Sequence, residues 1–473
     1  MARKILFYEI YGNDEKKNIF IKSVSPTICI SEQQLALEKN NAIINNETRL
    51  FNLKSFLKKV FLPQGFPDSV HPDYIPYQIW DTIQAFASTV LGALTTHSVL
   101  QSVGVGESTA TASAAAISWI LKDGTGMIGR IIFTWWKSIE LDAQCKKWRL
   151  TADILNDLAM GIELTLPSMH SSSVTMLLCL STAMKSIVGV AGGATRAALT
   201  QHQALKGNVG DVSAKDGSQE TFINLIGSFV GIFLISYIPN AFLVEMYLIL
   251  VTIHIYANYS AVKVLTFNSL NEDRLILLFH NYINNGIIHD TKLINQQESL
   301  LPFHNSPKHY SGFSIKLGIS LSDVIKNPRI NNIEYLTKLM NHFRKKPFLI
   351  IPDIRKEIIY VVLRKNILSV NILEAYFNAY IYAKFINLQL NRKENVIDEI
   401  KSQGRSFLSK LYTLSKSNVF NVDRRQLTLE PSILLDSIID EEFNHWNKLL
   451  QKSEWLDDSN LLPVNNWRGE WDT

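Results

Sequence analysis

The chain has 473 residues, enough for two to four domains of ordinary size. Hydrophobic residues make up 47% of it and charged residues only 19%, against a usual charged share of roughly 25%. The net charge of +4 argues against a protein built to coat nucleic acid, and three widely spaced cysteines exclude a disulfide framework and a cysteine-based zinc site.

The first segment, residues 1–55, mixes polar and β-branched residues. Ile5–Ile10 and Asn18–Val24, separated by a polar stretch, predict a small hairpin. Four prolines from Pro63 to Pro76 then predict a rigid, extended connector in place of a helix. We therefore expect an N-terminal segment that contains β-structure.

Residues 56–267 are the part of the chain that is poorest in charge. Thr82–Gly106 contains no Asp, Glu, Lys or Arg, and it is longer than the roughly 20 residues that a bilayer core requires. Further apolar runs predict a polytopic helical membrane domain of about six spans. The candidate spans are Thr82–Val103, Ser108–Leu121, Leu150–Leu166, Ser173–Ala194, Ser218–Ile238 and Ala241–Val264.

Small residues within these runs recur at helical spacing. Gly189 and Gly193 are four residues apart, and so are Gly227 and Gly231. Residues four apart share one face of a helix, and small ones let two backbones approach closely. The four glycines therefore predict helix contacts, although chance would also produce such a spacing.

Residues 268–473 are richer in charge and predict a soluble α+β domain. Phe348–Ile351 and Ile358–Val362 have the pattern of strands around a turn, and Asn371–Phe385 has that of an amphipathic helix. The predicted fold class is thus mainly α, with a helical membrane bundle between a small β-containing segment and this domain.

Seven long motifs follow one another in a specific order: Leu62–Val70, Asp73–Asp81, Lys122–Arg130, Trp148–Asp157, Gly192–Thr200, Asp211–Thr221 and His254–Tyr259. Together they resemble the root UV-B sensitive family over about residues 55–290. The resemblance implies a membrane-associated protein. Plant members are linked to root UV-B tolerance, vitamin B6 balance and auxin transport, and they work in pairs. It implies no catalytic residue.

Arg196 is the first candidate for a binding role, because it is the only charge between Ser186 and Leu205, and His202 follows it. An arginine in an apolar helix costs several kcal/mol unless it is compensated. It therefore needs an anionic ligand or an acidic partner, for which Asp153, Asp157 and Asp216 are candidates.

The local helix structure would decide whether Arg196 binds an anion or lies at the membrane interface. A helix break at Gly192 and Gly193 would expose backbone N–H groups to an anion. Alternatively, Arg196 marks the end of a helix and extends its charged group to the interface.

Arg149, Asp153 and Asp157 form a second candidate group. They are spaced at i, i+4 and i+8, which places them on one helix stripe. In a membrane helix such charges face a cavity or a partner helix, whereas in a soluble helix they would be a solvated face.

The polar stretch Asp211–Glu220 precedes an apolar run and supplies a third group. Lys215, Asp216, Gln219 and Glu220 are candidates for contact with a solute. The alternative is capping, in which Asp216 or Ser218 accepts hydrogen bonds from the first turn of the following helix.

Gly124-x-Gly126-x-x-Gly129 matches a dinucleotide-binding fingerprint, but an Ala-rich helical run precedes it and no βαβ unit follows. Flanked by Asp123 and Arg130, it instead resembles the turn between early helices of major facilitator transporters. There Asp123 and Arg130 would form a gate-like ion pair. The alternative is an ordinary tight turn.

The sequence contains no evident nucleophile–base pair and no metal-ligand spacing, so we expect neither catalytic activity, nor a metal, nor a cofactor. The predicted function is that of a membrane protein that moves or senses a small polar or anionic solute. The alternative is a membrane-tethered scaffold whose C-terminal domain binds a partner protein. The expected partners are the lipid bilayer, an unidentified solute and a second copy or paralogue.

Overall fold

The computed structural model describes residues 4–11, 15–21, 53–102, 112–301, 304, 306–326, 333–390, 406–416, 422–423, 428–429, 433–456 and 460–471. The chain divides into two compact units. Unit 1 consists of Met1–Thr111, Met160–Val174 and Arg196–Ala261, and unit 2 consists of Ala112–Ala159, Thr175–Thr195 and Val262–Thr473.

Helices dominate both units. In chain order they are α1 (Leu53–Phe61), α2 (Tyr74–Ser102), α3 (Ala112–Ala143), α4 (Cys145–Thr165), α5 (Ser171–Gln203), α6 (Val209–Tyr237), α7 (Leu243–Val264), α8 (Glu272–Asn285), α9 (Thr291–Gln297), α10 (Ser306–Ser311), α11 (Leu321–Ile325), α12 (Ile333–His342), α13 (Ser369–Leu390), α14 (Phe407–Lys416) and α15 (Ile433–Leu450). Two short 3₁₀ turns, Leu166–Ser168 and Asn240–Phe242, precede α5 and α7.

The strands are short and few by comparison. They are β1 (Lys4–Tyr11), β2 (Glu15–Ile21), β3 (Leu270–Asn271), β4 (Ser314–Leu317), β5 (Phe348–Asp353), β6 (Ile358–Leu363), β7 (Val422–Asp423), β8 (Thr428–Leu429) and β9 (Asn460–Leu461). β1 and β2 pair antiparallel where the hairpin was predicted, while residues 22–24 of its second arm lie outside the described residues.

The proline-rich connector is shorter than predicted. α2 begins at Tyr74, so Pro76 lies in its first turn. Proline is tolerated there because the N–H groups of the first turn have no partner within the helix.

Helices α2 and α6 pack closely in unit 1 through two glycines. A Cβ atom added to Gly231 would lie 2.5 Å from the Cβ of Ala93, and one added to Gly227 would lie 3.0 Å from the Cβ of Thr89. The Thr89 hydroxyl also donates to Asn224 Oδ1 at 2.8 Å. The two backbones approach because these positions have no side chain.

Gly189 and Gly193 behave differently. A Cβ atom at either position would have no described atom within 4 Å. The close contact predicted for this pair is therefore not found among the described residues. The helix α5 also runs unbroken through Gly192 and Gly193, so the predicted break there is wrong.

The glycines at 124, 126 and 129 do not form a turn, which corrects the prediction for this motif. They lie inside the continuous helix α3, where Asp123 and Arg130 are both exposed and are not paired with each other. A Cβ atom at Gly126 would lie 3.1 Å from Thr182 Cγ2, and one at Gly129 would lie 2.8 Å from Ser186 Oγ. Thus Gly126 and Gly129 allow α5 to approach α3 within unit 2, whereas a Cβ at Gly124 would meet no described atom within 4 Å.

Three long helices expose an apolar stripe at helical spacing. Each stripe runs along one face, as residues three or four apart do. The exposed residues include Met127, Ile128, Ile131, Trp135 and Ile139 on α3, Phe222, Leu225, Phe229, Ile232 and Phe233 on α6, and Val244, Leu248, Ile249, Ile253 and Tyr256 on α7.

Within the part of the chain that the structure describes, three helices are long and apolar enough to cross a membrane, by length and composition. They are Tyr74–Ser102, Ser173–Gln203 and Val209–Tyr237, against about six predicted spans. The predicted span Leu150–Leu166 fails because α4 carries six charged residues. The predicted span at Ser108 begins outside the described residues, and α7 is not among the three.

The C-terminal part of unit 2 combines helices with a small mixed sheet. β6 lies in the middle, antiparallel to β5 and parallel to β4. Helix α13 is buried along most of its length and shares one apolar core with α8, α15 and the sheet. Phe279, Phe377 and Trp446 meet at its centre, with ring centroids 4.9 to 5.9 Å apart.

We predict that alanine at Gly231 and at Gly189 has opposite effects on stability. Gly231→Ala should destabilise the protein by about 1–3 kcal/mol, because its Cβ would collide with Ala93 and force the backbones apart. Gly189→Ala should stabilise it by up to about 1 kcal/mol, since alanine favours the helix and has room. Thermal unfolding of the full-length chain in detergent measures both, and shifts of the same sign would contradict the packing described for α6.

Candidate functional site

Arg196 on α5 is held by two carboxylates of α6. Its Nε and Nη2 atoms lie 2.7 and 2.5 Å from Asp216 Oδ2, and its Nη1 lies 2.5 Å from Glu220 Oε2. Gln78 of α2 donates to the second oxygen of Asp216 at 2.9 Å. We call these four residues the arginine cluster. Asp216 and Glu220 reach the same guanidinium because residues four apart share a helix face.

The arginine cluster decides between the alternatives open for Arg196. Among the three aspartates considered as partners, Asp216 is the one in contact with it. The helix continues beyond Arg196 to Gln203, so Arg196 does not mark a helix end. Asp216 and Ser218 do not cap α6, because this helix already begins at Val209.

The charges of the arginine cluster do not cancel. One guanidinium faces two carboxylates, which leaves one negative charge in excess. Asp216 is mostly buried, whereas the Glu220 side chain is 39% exposed. Glu220 is therefore the carboxylate with room to leave Arg196.

Other polar residues at the start of α6 bind the backbone of α1 and the segment after it. Gln219 Nε2 donates to the carbonyl of Phe61 at 2.5 Å, and Lys215 Nζ donates to that of Lys59 at 2.5 Å. Asp211 Oδ2 accepts from the backbone N–H of Gln64 at 2.6 Å. Lys215 and Gln219 thus have backbone partners, while Asp216 and Glu220 face Arg196.

His202, near the end of α5, contacts Asp73 and is not part of the arginine cluster. Its Nε2 lies 2.9 Å from Asp73 Oδ2, and His71 Nδ1 lies 2.8 Å from Asp73 Oδ1. The three ligand atoms lie within 4.8 Å of one another, which is a spacing that a metal ion could bridge. His71 and Asp73 were not predicted, because they lie about 130 residues before His202 in the chain.

Arg149, Asp153 and Asp157 belong to unit 2 and follow one stripe of α4. Arg149 and Asp153 are half-buried and Asp157 is buried. Burial of Asp157 argues against a solvated face at this end of the stripe.

A buried ion network in unit 2 was not predicted at all. Lys146 Nζ lies 3.0 Å from Glu298 Oε2, Lys147 Nζ lies 2.5 Å from Asp273 Oδ2, and Arg274 Nε lies 3.8 Å from Glu298 Oε1. Asn271, whose side chain caps α8, also donates to Glu298 at 2.8 Å. All five charged side chains are almost fully buried, so each depends on its partners.

The partners of Glu298 determine its charge. Burial alone would raise the pKa of this carboxyl, but Arg274 and Lys146 outweigh burial and bring the pKa down to about 2. Burial lowers the pKa of Lys146, and Glu298 opposes that change. Glu298 is consequently ionised at neutral pH and compensates two buried cations.

Comparison with known proteins identifies the family. A profile described as the vitamin B6 photo-protection and homoeostasis domain matches residues 47–286. A second, described as root UVB sensitive protein, C-terminal, matches residues 287–471. The chain belongs to the root UVB sensitive family. The resemblance inferred from the seven motifs is thereby confirmed.

Individual members of the family are similar over much of the chain. RUS family member 1 of Dictyostelium discoideum is 40% identical over 65% of this chain. The matched region covers 57% of the length of that relative. Protein root UVB sensitive 3 of Arabidopsis thaliana is 34% identical over 75% of this chain and 79% of its own length. Protein root UVB sensitive 5 of the same plant is 26% identical over 90% of this chain and 86% of its own length. No solved structure matches the chain.

Removal of the Glu298 charge should be strongly destabilising. Glu298→Gln leaves Lys146 and Arg274 buried without their carboxylate, and such a loss typically costs roughly 3–5 kcal/mol. Denaturant unfolding of the full-length chain measures this loss. The matched control is Glu441→Gln, an exposed position on α15 that should change stability by less than about 0.5 kcal/mol. Equal losses in the two variants would contradict the role given to Glu298.

Glu272 should make stability fall as the pH rises. Burial raises its pKa from 4.5 to about 7, although the Tyr376 hydroxyl, which donates to it at 2.7 Å, works in the opposite direction. Between those two pH values the unfolded chain loses the proton and the folded chain keeps it, so stability declines over this range and is level above it. Glu272→Gln stays neutral and should remove the decline.

The measurement is the melting temperature of the wild type and of Glu272→Gln at pH 5 and pH 8. The advantage of the variant should be larger at pH 8. A difference that is the same at both pH values would show that Glu272 titrates normally in the folded protein.

Proposed function

We propose that this chain is a membrane protein without catalytic activity that moves or senses a small polar solute at the arginine cluster. The observation that carries the proposal is that α2, α5 and α6, which meet the length and hydropathy of a membrane span, each contribute to this one cluster. Charged side chains in such helices are costly, and they commonly mark the path or the site of a polar ligand.

The exposed apolar stripes support a bilayer as the surroundings of these helices. Phe229 and Phe233 on α6 are more than half exposed, on a face of the helix that also carries Phe222. Contiguous apolar surface of this kind is disfavoured in water and is stable in lipid. We therefore propose the lipid bilayer as the main partner of α6.

The excess negative charge of the arginine cluster restricts how it could bind an anion. An anionic group could pair with Arg196 only by taking the place of Glu220, which is the more exposed of the two carboxylates. Binding would then be an exchange of one anion for another on the same guanidinium. The family description names vitamin B6, so vitamin B6 compounds are the first solutes to test. They include a matched pair for this question, because the 5′-phosphates are anionic and pyridoxine carries no phosphate.

The test begins with alkaline carbonate extraction of membranes that contain the full-length chain, which should remain in the pellet. Binding of pyridoxal 5′-phosphate and pyridoxine is then measured on the chain in lipid nanodiscs. Glu220→Gln should strengthen binding of the phosphate by on the order of tenfold, because it removes the competing charge and the excess negative charge together. Arg196→Ala should abolish that binding.

The matched control is Lys206→Ala, which removes an exposed cation just after α5 and should leave binding unchanged. Equal behaviour of Arg196→Ala and Lys206→Ala would refute a solute site at Arg196. Release of the wild-type chain by carbonate would refute the membrane part of the proposal.

The second candidate function is a membrane-tethered scaffold, favoured by a cleft in unit 2. The cleft has a volume of about 510 Å³, and Tyr282, Phe407, Lys410, Glu442 and His445 are among the residues that line it. The lining residues from Ser406 to His445 lie in the region matched by the second family profile, which begins at residue 287, whereas Tyr282 precedes that region. For a scaffold, Lys410→Glu should abolish partner capture and Arg196→Ala should not, which is the reverse of the result expected for a solute protein.

A further inference from the structure

His71, Asp73 and His202 form a second cluster in unit 1, which we call the histidine cluster. The Asp73 carboxylate lies between the two imidazoles, with one oxygen 2.8 Å from His71 Nδ1 and the other 2.9 Å from His202 Nε2. The centroids of the two rings lie 4.3 Å apart, and the ring planes are tilted by 45°. Asp73 is buried, and the side chains of His202 and His71 are 8% and 24% exposed.

The backbone holds the two halves of the histidine cluster together. The His71 N–H donates to the carbonyl of Gln203 at 2.9 Å, and the Leu205 N–H donates to that of Ser69 at 3.2 Å. Val70 and Ala204 form an antiparallel bridge between these bonds. The segment before α2 is thus fixed against the end of α5, which pre-positions all three side chains without help from any ligand.

The contacts of Asp73 with the two imidazoles are ones that a cation can occupy. His71 Nδ1 lies 2.8 Å from Asp73 Oδ1, and His202 Nε2 lies 2.9 Å from Asp73 Oδ2. An imidazole nitrogen without a proton offers one lone pair, and a carboxylate offers lone pairs only. Each contact can therefore share a proton, and a single metal ion in place of the protons could accept all three groups together.

We propose that His71, Asp73 and His202 bind one divalent transition-metal ion, of which Zn²⁺ is the best match. Two imidazole nitrogens and one carboxylate oxygen are ligands that zinc and its neighbours accept, whereas Ca²⁺ and Mg²⁺ prefer sites made of oxygen alone. Ligand atoms within 4.8 Å of one another can close around an ion with bonds of about 2.0–2.2 Å. The partial exposure of His71 leaves one side of the site open for water.

Such an ion would fasten the end of α5 to the start of α2. His202 lies in the last turn of α5, and Asp73 immediately precedes Tyr74, the first residue of α2. Both helices contribute to the arginine cluster, so the ion would stabilise the helix pair that holds it. The metal site does not depend on the solute proposed above.

The experiment uses the full-length chain in detergent, stripped of metal with a chelator and then titrated with Zn²⁺ by calorimetry. One Zn²⁺ per chain should bind, and the melting temperature should rise with the ion because binding favours the folded state. Asp73→Asn, His71→Ala and His202→Ala should each weaken binding by more than tenfold. Asp73→Asn keeps the size of the side chain and loses only its charge.

His170→Ala is the matched control, since it removes an exposed histidine just before α5 and should bind Zn²⁺ like the wild type. Co²⁺ substitution provides a second readout that does not require any variant to fold. Its spectrum should lack the intense ultraviolet band of thiolate ligation, which separates the histidine cluster from the cysteines. Absence of Zn²⁺ binding by the wild type, thiolate ligation of Co²⁺, or undiminished binding by a folded Asp73→Asn would each overturn the proposal.

Discussion

A guanidinium placed in an apolar helix dictates much of the arrangement of unit 1. Arg196 cannot remain uncompensated in such surroundings, so α6 has to present Asp216 and Glu220 at the same height, and α2 has to supply Gln78 to the far side of Asp216. These contacts fix the register of three helices against one another. A slide of one turn between these helices would break the ion pairs.

The two faces of α6 meet different environments for different physical reasons. On one side Gly227 and Gly231 bring the backbone of α2 close enough for van der Waals contact along several turns. On the other side Phe229 and Phe233 project away from the described part of the chain. A helix with small residues on one side and large apolar ones on the other is typical of a segment that packs on a neighbouring helix and faces lipid.

The sequence predicted those features that depend on local composition. Long runs without charge located α2, α5 and α6, and the need of Arg196 for a carboxylate made Asp216 a candidate. The glycines of α3 were interpreted wrongly, because a glycine motif is equally compatible with a turn and with a helix contact, and only the presence of α5 beside it decides. The histidine cluster and the ion network of Lys146 and Glu298 were beyond prediction, since their members meet only through tertiary packing.

The short connection between α5 and α6 has a consequence for biogenesis. The connector from residue 204 to 208 is brief, and Arg196 and Asp216 each lie about two turns from it, so the pair is separated by only 20 residues of chain. The two charges can neutralise each other as soon as this helical hairpin has emerged during synthesis. If α5 and α6 cross the membrane as proposed, their insertion as one unit would not place an unpaired arginine in the hydrocarbon, and the two helices would not have to wait for the remainder of the protein.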